Sequence, residues 1–179
     1  MKNCVQIFIA LTVMAILAGT ALAGMRRDKR KAVMPSSQLT EVRISSHGMM
    51  VQPNYSYRVK LEQDGTVTCV YFDHSRYGYV CCRVRAELLD EMRVVIESHK
   101  MYKYDRIYTN PNVLDGESWK FDAVFEDGQC LSSFGSNAWP RDNGFDVLRE
   151  MCAEAVTSGV YLSLANEQGE RIPDSADGE

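Results

Sequence analysis

The stretch YSYRVKLEQDGTVTCVYFDHSRYGYVCCRV, residues 55–84, decides the fold. Its first eight residues alternate, with Tyr57, Val59 and Leu61 on one side and polar residues on the other, the period of a half-buried strand. Gln63-Asp64-Gly65 is turn chemistry, with Gly65 supplying a left-handed conformation. Pairing Glu62 with Thr66 sets Leu61 opposite Val67, Val59 opposite Cys69 and Tyr57 opposite Tyr71. A second turn around His74-Ser75-Arg76-Tyr77 lets Asp73 pair with Gly78. Val80 then faces Tyr71, Cys82 faces Cys69 and Val84 faces Val67. Two hairpins agree on one buried face, and a slip of one residue would turn both inside out.

Residues 39–46 precede this unit with Val42 and Ile44 on one face and add a strand. Residues 86–99 follow it and change period. Leu89, Met92, Ile96 and His99 recur at helical spacing beside Leu88 and Val95, with Glu87, Asp90, Glu91 and Arg93 on the other side. Residues 100–117 read as a tyrosine-rich connection broken at Asn110-Pro111-Asn112 and Asp115-Gly116. Strands at 118–126 and 129–135 come next, joined by a two-residue Asp127-Gly128 loop. Pairing Glu126 with Gln129 puts Trp119, Phe121, Ala123 and Phe125 on one face with Cys130, Ser132 and Phe134. A second helix runs from about Gly144 to Val156, with Asn143 as N-cap and Asp146 three residues on. Its stripe is Phe145, Leu148, Cys152, Ala155 and Val156, and Gly159 ends it. The sum is an α+β fold, an antiparallel sheet of about six strands in the order ββββαββα with two helices on one face.

Outward from that core, the ends of the chain bear on compartment. Residues 1–23 read as a signal peptide: Lys2, an uncharged apolar run from Val5 to Leu22, and Ala21-Leu22-Ala23 ahead of a cleavage site before Gly24. The flank Arg26-Arg27-Asp28-Lys29-Arg30-Lys31 leaves an alternative open, since the positive-inside rule would keep it in the cytoplasm and hold residues 5–23 as an inner-membrane anchor. Residues 24–38 form a basic linker, residues 39–165 a single domain and residues 166–179 an acidic, disordered tail. Removing the leader changes the formal charge from −4 to −5. That balance, with one basic arm, does not fit a nucleic-acid binder. Arg26, Arg27, Lys29, Arg30 and Lys31 can instead touch anionic lipid headgroups.

The mature chain keeps five cysteines, Cys69, Cys81, Cys82, Cys130 and Cys152, so at least one thiol stays free or pairs between chains. Cys69 and Cys82, directly opposed on antiparallel strands, lie within disulfide reach; a bridge there would stabilise by ~3 kcal/mol. Two buried thiols packed as small hydrophobes remain the alternative. A metal site built from Cys69, His74, Cys81 and Cys82 fails on geometry, because Cys81 and Cys82 point to opposite faces. No cofactor-binding motif is present. Asp122, Glu126 and Lys120 share the non-core face and read as solvated charge.

Val113-Leu114-Asp115-Gly116-Glu117-Ser118-Trp119, the Asp127-Gly128 hairpin and Ser132-Ser133-Phe134-Gly135-Ser136-Asn137-Ala138-Trp139-Pro140 carry a resemblance. Over residues 39–157 the chain resembles a family of small uncharacterised secreted or lipid-anchored proteins of anaerobic gut bacteria, Bacteroides and Prevotella relatives, with Gly-x-Asn-Ala-Trp-Pro as the most specific element. The resemblance implies a bacterial, envelope-directed domain and transfers no catalytic residue. The family's lipid-anchored leader is not matched.

The corner Gly135–Pro140 offers Asn137 as a turn lock and Trp139 as a large amphipathic surface of the kind that anchors ligands. Tyr102, Tyr104 and Tyr108 read as lining a groove beside it, or else as a satellite cluster under a long loop. The expectation is a non-enzymatic secreted or periplasmic domain that binds a protein, peptide or glycan through Tyr102, Tyr104, Tyr108, Asn137 and Trp139. The alternatives are a thiol-dependent enzyme using Cys81, which lies off the core face, and a membrane-tethered envelope structural protein.

Overall fold

A computed structural model of the protein describes residues 32–49, 52–113 and 116–172. The predicted leader, the basic cluster 26–31 and residues 173–179 of the predicted tail lie outside the described residues. The fold is that of the unit beginning at Val33.

Four antiparallel strands open it: β1 (Leu39–His47), β2 (Pro53–Leu61), β3 (Val67–Asp73) and β4 (Gly78–Val84). The two hairpins adopt the register that alternation requires, with Leu61 opposite Val67, Tyr57 opposite Tyr71, Cys69 opposite Cys82 and Asp73 opposite Gly78. Helix α1 (Leu88–Ser98) follows, then a 3₁₀ turn (Met101–Lys103) and a short strand β5 (Ile107–Thr109). Strands β6 (Ser118–Phe125) and β7 (Cys130–Ser136) lead to helix α2 (Gly144–Thr157). The described residues end in β8 (Val160–Ala165) and β9 (Arg171–Ile172).

All strands join one sheet in the order β5-β7-β6-β1-β2-β3-β4-β8-β9, so the expected six strands become nine among the described residues. The three added strands lie at the two edges. β5 pairs parallel with β7 over three residues, too short for alternation to register. β8 is a mixed apolar run without a clean period, antiparallel to β4. Residues 166–172, assigned to a disordered tail, instead turn through Asn166–Gly169 and pair back as β9.

The β6–β7 hairpin corrects a register. Phe125 pairs with Gln129, its N–H bonding the Gln129 carbonyl at 2.9 Å, and Glu126-Asp127-Gly128 forms a three-residue loop with Gly128 at φ +81°. This is the same geometry as Gln63-Asp64-Gly65, where Gly65 has φ +82°. In both, the aspartate accepts the N–H two residues on, from Thr66 and from Gln129, each at 3.0 Å. The extra loop residue shifts β7 by one. Leu131, Ser133 and Gly135 therefore share the core side with Ala123, Phe121 and Trp119, while Cys130, Ser132 and Phe134 point outward.

Both helices pack on one face of the sheet over a single core. Val42, Ile44, Val59, Cys69, Cys82, Trp119, Phe121 and Phe125 meet Leu89, Met92, Ile96, Phe145, Leu148 and Cys152 there. Asn143 occupies the N-cap position of α2 without a side-chain cap bond; Asp142 takes the role, accepting the Gly144 N–H at 2.9 Å. At the start of the fold, Arg93 on α1 donates to the carbonyls of Pro35 and Ser37, and Met34 packs on the core. The outer face carries buried charge, contrary to a solvated reading. Asp122 is 8% exposed and takes Lys120 Nζ at 2.9 Å and Ser132 Oγ at 2.7 Å. Beside it Glu41 accepts hydrogen bonds from Arg43 and Arg58. Among the described residues no helix is long and apolar enough to cross a membrane.

Candidate functional site

The corner between β7 and α2 is built from the inside out. Trp119 is 1% exposed, and its indole N–H donates to the Ala138 carbonyl at 2.8 Å. Gly135 permits this, because a Cβ there would lie 1.9 Å from Trp119 Nε1. Asn137 then reverses the chain at φ +55°. Its N–H bonds the Glu117 carbonyl at 2.9 Å, and its side-chain amide donates to the Val113 carbonyl at 3.1 Å. Gly116 packs so closely on it that a Cβ would fall 1.5 Å from Asn137 Oδ1. Asn137 is thus the clamp that ties Val113, Gly116 and Glu117 to the corner.

Trp139 follows, with its ring stacked on Trp119 at 5.3 Å between centroids and 19° between planes. Phe145 abuts both indoles edge-on, at 5.1 and 5.5 Å. Trp139 nonetheless keeps 41% of its surface exposed. It borders a depression of about 220 Å³ whose wall is completed by Tyr55, Glu117, Asp142, Asp146 and Arg149. Arg149 lies over the Tyr55 ring at 5.8 Å and pairs with Asp146 at 3.4 Å.

The three expected tyrosines divide. Tyr108 meets Trp119 at a tilt, 5.6 Å between centroids, and its hydroxyl accepts the Asp105 N–H at 3.0 Å, a bracing role. Tyr104 meets Phe121 edge-on at 6.3 Å, and its hydroxyl donates to Asp142 Oδ1 at 2.5 Å. Tyr102 and Tyr104 line a separate depression of about 370 Å³ with Arg106 and Leu131. Trp139 is therefore the one expected residue that borders the 220 Å³ depression; Tyr104 reaches it through Asp142, and Tyr108 and Asn137 support it from behind.

Tyr55, Glu117, Phe145 and Arg149 complete the site unannounced by sequence spacing. Their juxtaposition depends on β6, β1 and β2 being neighbours. Glu117, just before β6, reaches Ser46 on β1 and Asn54 on β2, while Phe145 and Arg149 sit one turn apart on α2. Burial and then the Glu117 charge raise the Tyr55 phenol above its ordinary pKa, and burial and then the Asp142 hydrogen bond raise Tyr104.

Among the described residues no disulfide joins Cys69, Cys81, Cys82, Cys130 or Cys152. Cys69 and Cys82 face each other, and Cys82 Sγ lies 3.6 Å from the Cys69 carbonyl. Burial pushes Cys69 well above its ordinary range and Cys82 up to about 11. Cys81 points to the outer face as expected, but there it is 2% exposed, packed with Val70 and Ala165. Cys130 is the exposed thiol among the described residues, its pKa raised by partial burial and then by Asp122. Among the described residues no group of three or more His, Cys, Asp or Glu is arranged to hold a metal ion. No protein-family model matches the chain, and no curated protein matches it.

Proposed function

We propose that the protein is a non-enzymatic binding domain of the bacterial envelope, secreted or periplasmic once residues 1–23 are removed, that holds a protein, peptide or glycan against Trp139. The observation that carries this is the two-tryptophan stack. One face of Trp139 is braced by the buried Trp119, while the ring keeps 41% of its surface open beside charged groups. A rigid, half-exposed aromatic ring gives large contact area at little entropic cost, the property of an anchor for a ligand. A thiol-dependent enzyme is less well supported, because a nucleophile needs a lowered pKa and access. Cys81 lacks access, and the accessible Cys130 has a raised pKa.

Peptide and glycan arrays probed with the full chain and with Trp139→Ala test the reading. The variant should retain its far-ultraviolet circular dichroism, lose about 1–2 kcal/mol of stability with the aromatic pair, and lose the ligands captured by the unmodified protein. Identical array profiles would sink it. N-terminal sequencing of the protein from its host distinguishes secretion, with Gly24 first, from an uncleaved anchor at residues 5–23.

A further inference from the structure

We infer that the Trp139 depression takes a cationic side chain, the ammonium or guanidinium of a basic peptide segment; the inference rests on the reading of this depression as a binding site. Three carboxylates line it, Glu117, Asp142 and Asp146, against one cation, Arg149. Arg149 is paired with Asp146. The other two acids are fixed by donors that carry no charge. Glu117 accepts from the Ser46 hydroxyl and from Asn54 Nδ2, the latter at 3.1 Å. Asp142 accepts from the Tyr104 hydroxyl and from the Gly144 N–H, with His99 Nδ1 further off at 3.7 Å. Neutral donors orient a carboxylate without cancelling its field, so two negative charges flank the open Trp139 ring.

An indole face is the best aromatic surface for a cation, and acids at its rim add to the attraction. A neutral sugar ring could stack on Trp139 as well, but it would displace water from two carboxylates without supplying a charge in return. The wider field agrees. Residues 32–179 hold fourteen basic residues against twenty-three acidic, a balance that draws cations toward the domain. Burial is the larger cause of the raised Tyr55 and Tyr104 phenols, and the Glu117 charge and the Asp142 hydrogen bond, respectively, add to it.

The test is a titration of the full chain with tetralysine and, separately, with maltotetraose, followed by fluorescence of the two tryptophans, which are stacked together. Tetralysine should quench saturably, and its affinity should fall as salt rises. Glu117→Gln and Asp142→Asn keep the hydrogen-bond acceptors and remove the charge; each should weaken tetralysine binding about two- to fivefold. Trp139→Ala should weaken it about tenfold. Tetralysine binding unchanged in all three variants would place the cation elsewhere and overturn the inference. Silence of tetralysine overturns it too, and a salt-insensitive maltotetraose response lost in Trp139→Ala would then leave the binding reading standing. If the arrays also show no ligand lost in Trp139→Ala, both readings fall together.

Discussion

A methyl group at Gly135 would sit 1.9 Å from Trp119 Nε1 and 2.6 Å from the Ala138 carbonyl oxygen. Neither neighbour can retreat cheaply. Trp119 is packed between Trp139, Phe145 and Tyr108, and the Ala138 oxygen is the acceptor of its indole N–H. Gly135→Ala should therefore force Trp119 out of its slot and cost about 2–3 kcal/mol, the scale of overpacking in a filled core. Urea unfolding measures it; a loss below about 0.5 kcal/mol would mean the indole has room the structure does not show. At Cys130 a single side chain again decides the outcome. It is the exposed thiol, whereas Cys69, Cys81, Cys82 and Cys152 are buried. Among these five, iodoacetamide should modify Cys130 alone in the native protein, and sluggishly, because its pKa is raised. In the protein cleaved before Gly24, alkylation of all five thiols after unfolding would show that no Cys69–Cys82 bridge had formed, and of three that one had.

The two Asp-Gly hairpins separate backbone strain from packing at the level of the element. Gly65 and Gly128 have φ of +82° and +81°, and a Cβ on either would meet nothing within 4 Å. Alanine at either position should cost about 1 kcal/mol through the left-handed conformation alone. If instead one variant were neutral by thermal unfolding and the other were not, the loops would not share a geometry. Their kinship also explains what the sequence yielded. Strict alternation in 55–84 fixes which residues face each other, and the structure has that register. For 118–135 the alternation is equally clear, yet the number of loop residues decides which partner residues turn inward. Asp127-Gly128 was compatible with a two-residue loop or with a three-residue loop that takes in Glu126. The edge strands β5 and β9 are too short to carry a period, so only tertiary pairing reveals them. The site divides in the same way. Trp139 and Asn137 stand in a local corner motif, while Tyr55, Glu117 and Arg149 arrive from separate elements that the sheet order brings together.

Across the whole molecule the buried ionisable groups predict a stability plateau with two falling edges. On the acid side Glu41 is the principal group. Its burial works to raise its pKa, but hydrogen bonds and charge from Arg43 and Arg58 outweigh that and hold it below its ordinary 4.5. Asp64, Asp73 and Asp127 are lowered too, chiefly by hydrogen bonds within their turns. A depressed carboxyl contributes its full stability above the unfolded pKa and loses it as pH falls through the folded value, so the acid edge begins near pH 4.5 and deepens below it. The alkaline edge has the opposite sign. Burial raises Cys82 from 9.0 to about 11 and raises Cys69 and Cys152 as well. Such groups contribute fully below the unfolded pKa; the unfolded chain then ionises first, and stability drains away as pH rises from about 9 through 11. Urea midpoints measured under reducing conditions should be flat from about pH 5 to 8.5 and fall on both sides. Glu41→Gln should lower the plateau by about 1–3 kcal/mol, the worth of hydrogen bonds to charged groups, and make the acid edge shallower. A midpoint that kept climbing above pH 10 would contradict the burial of the three core thiols, and an acid edge as steep in Glu41→Gln as in the unmodified chain would remove Glu41 from the account.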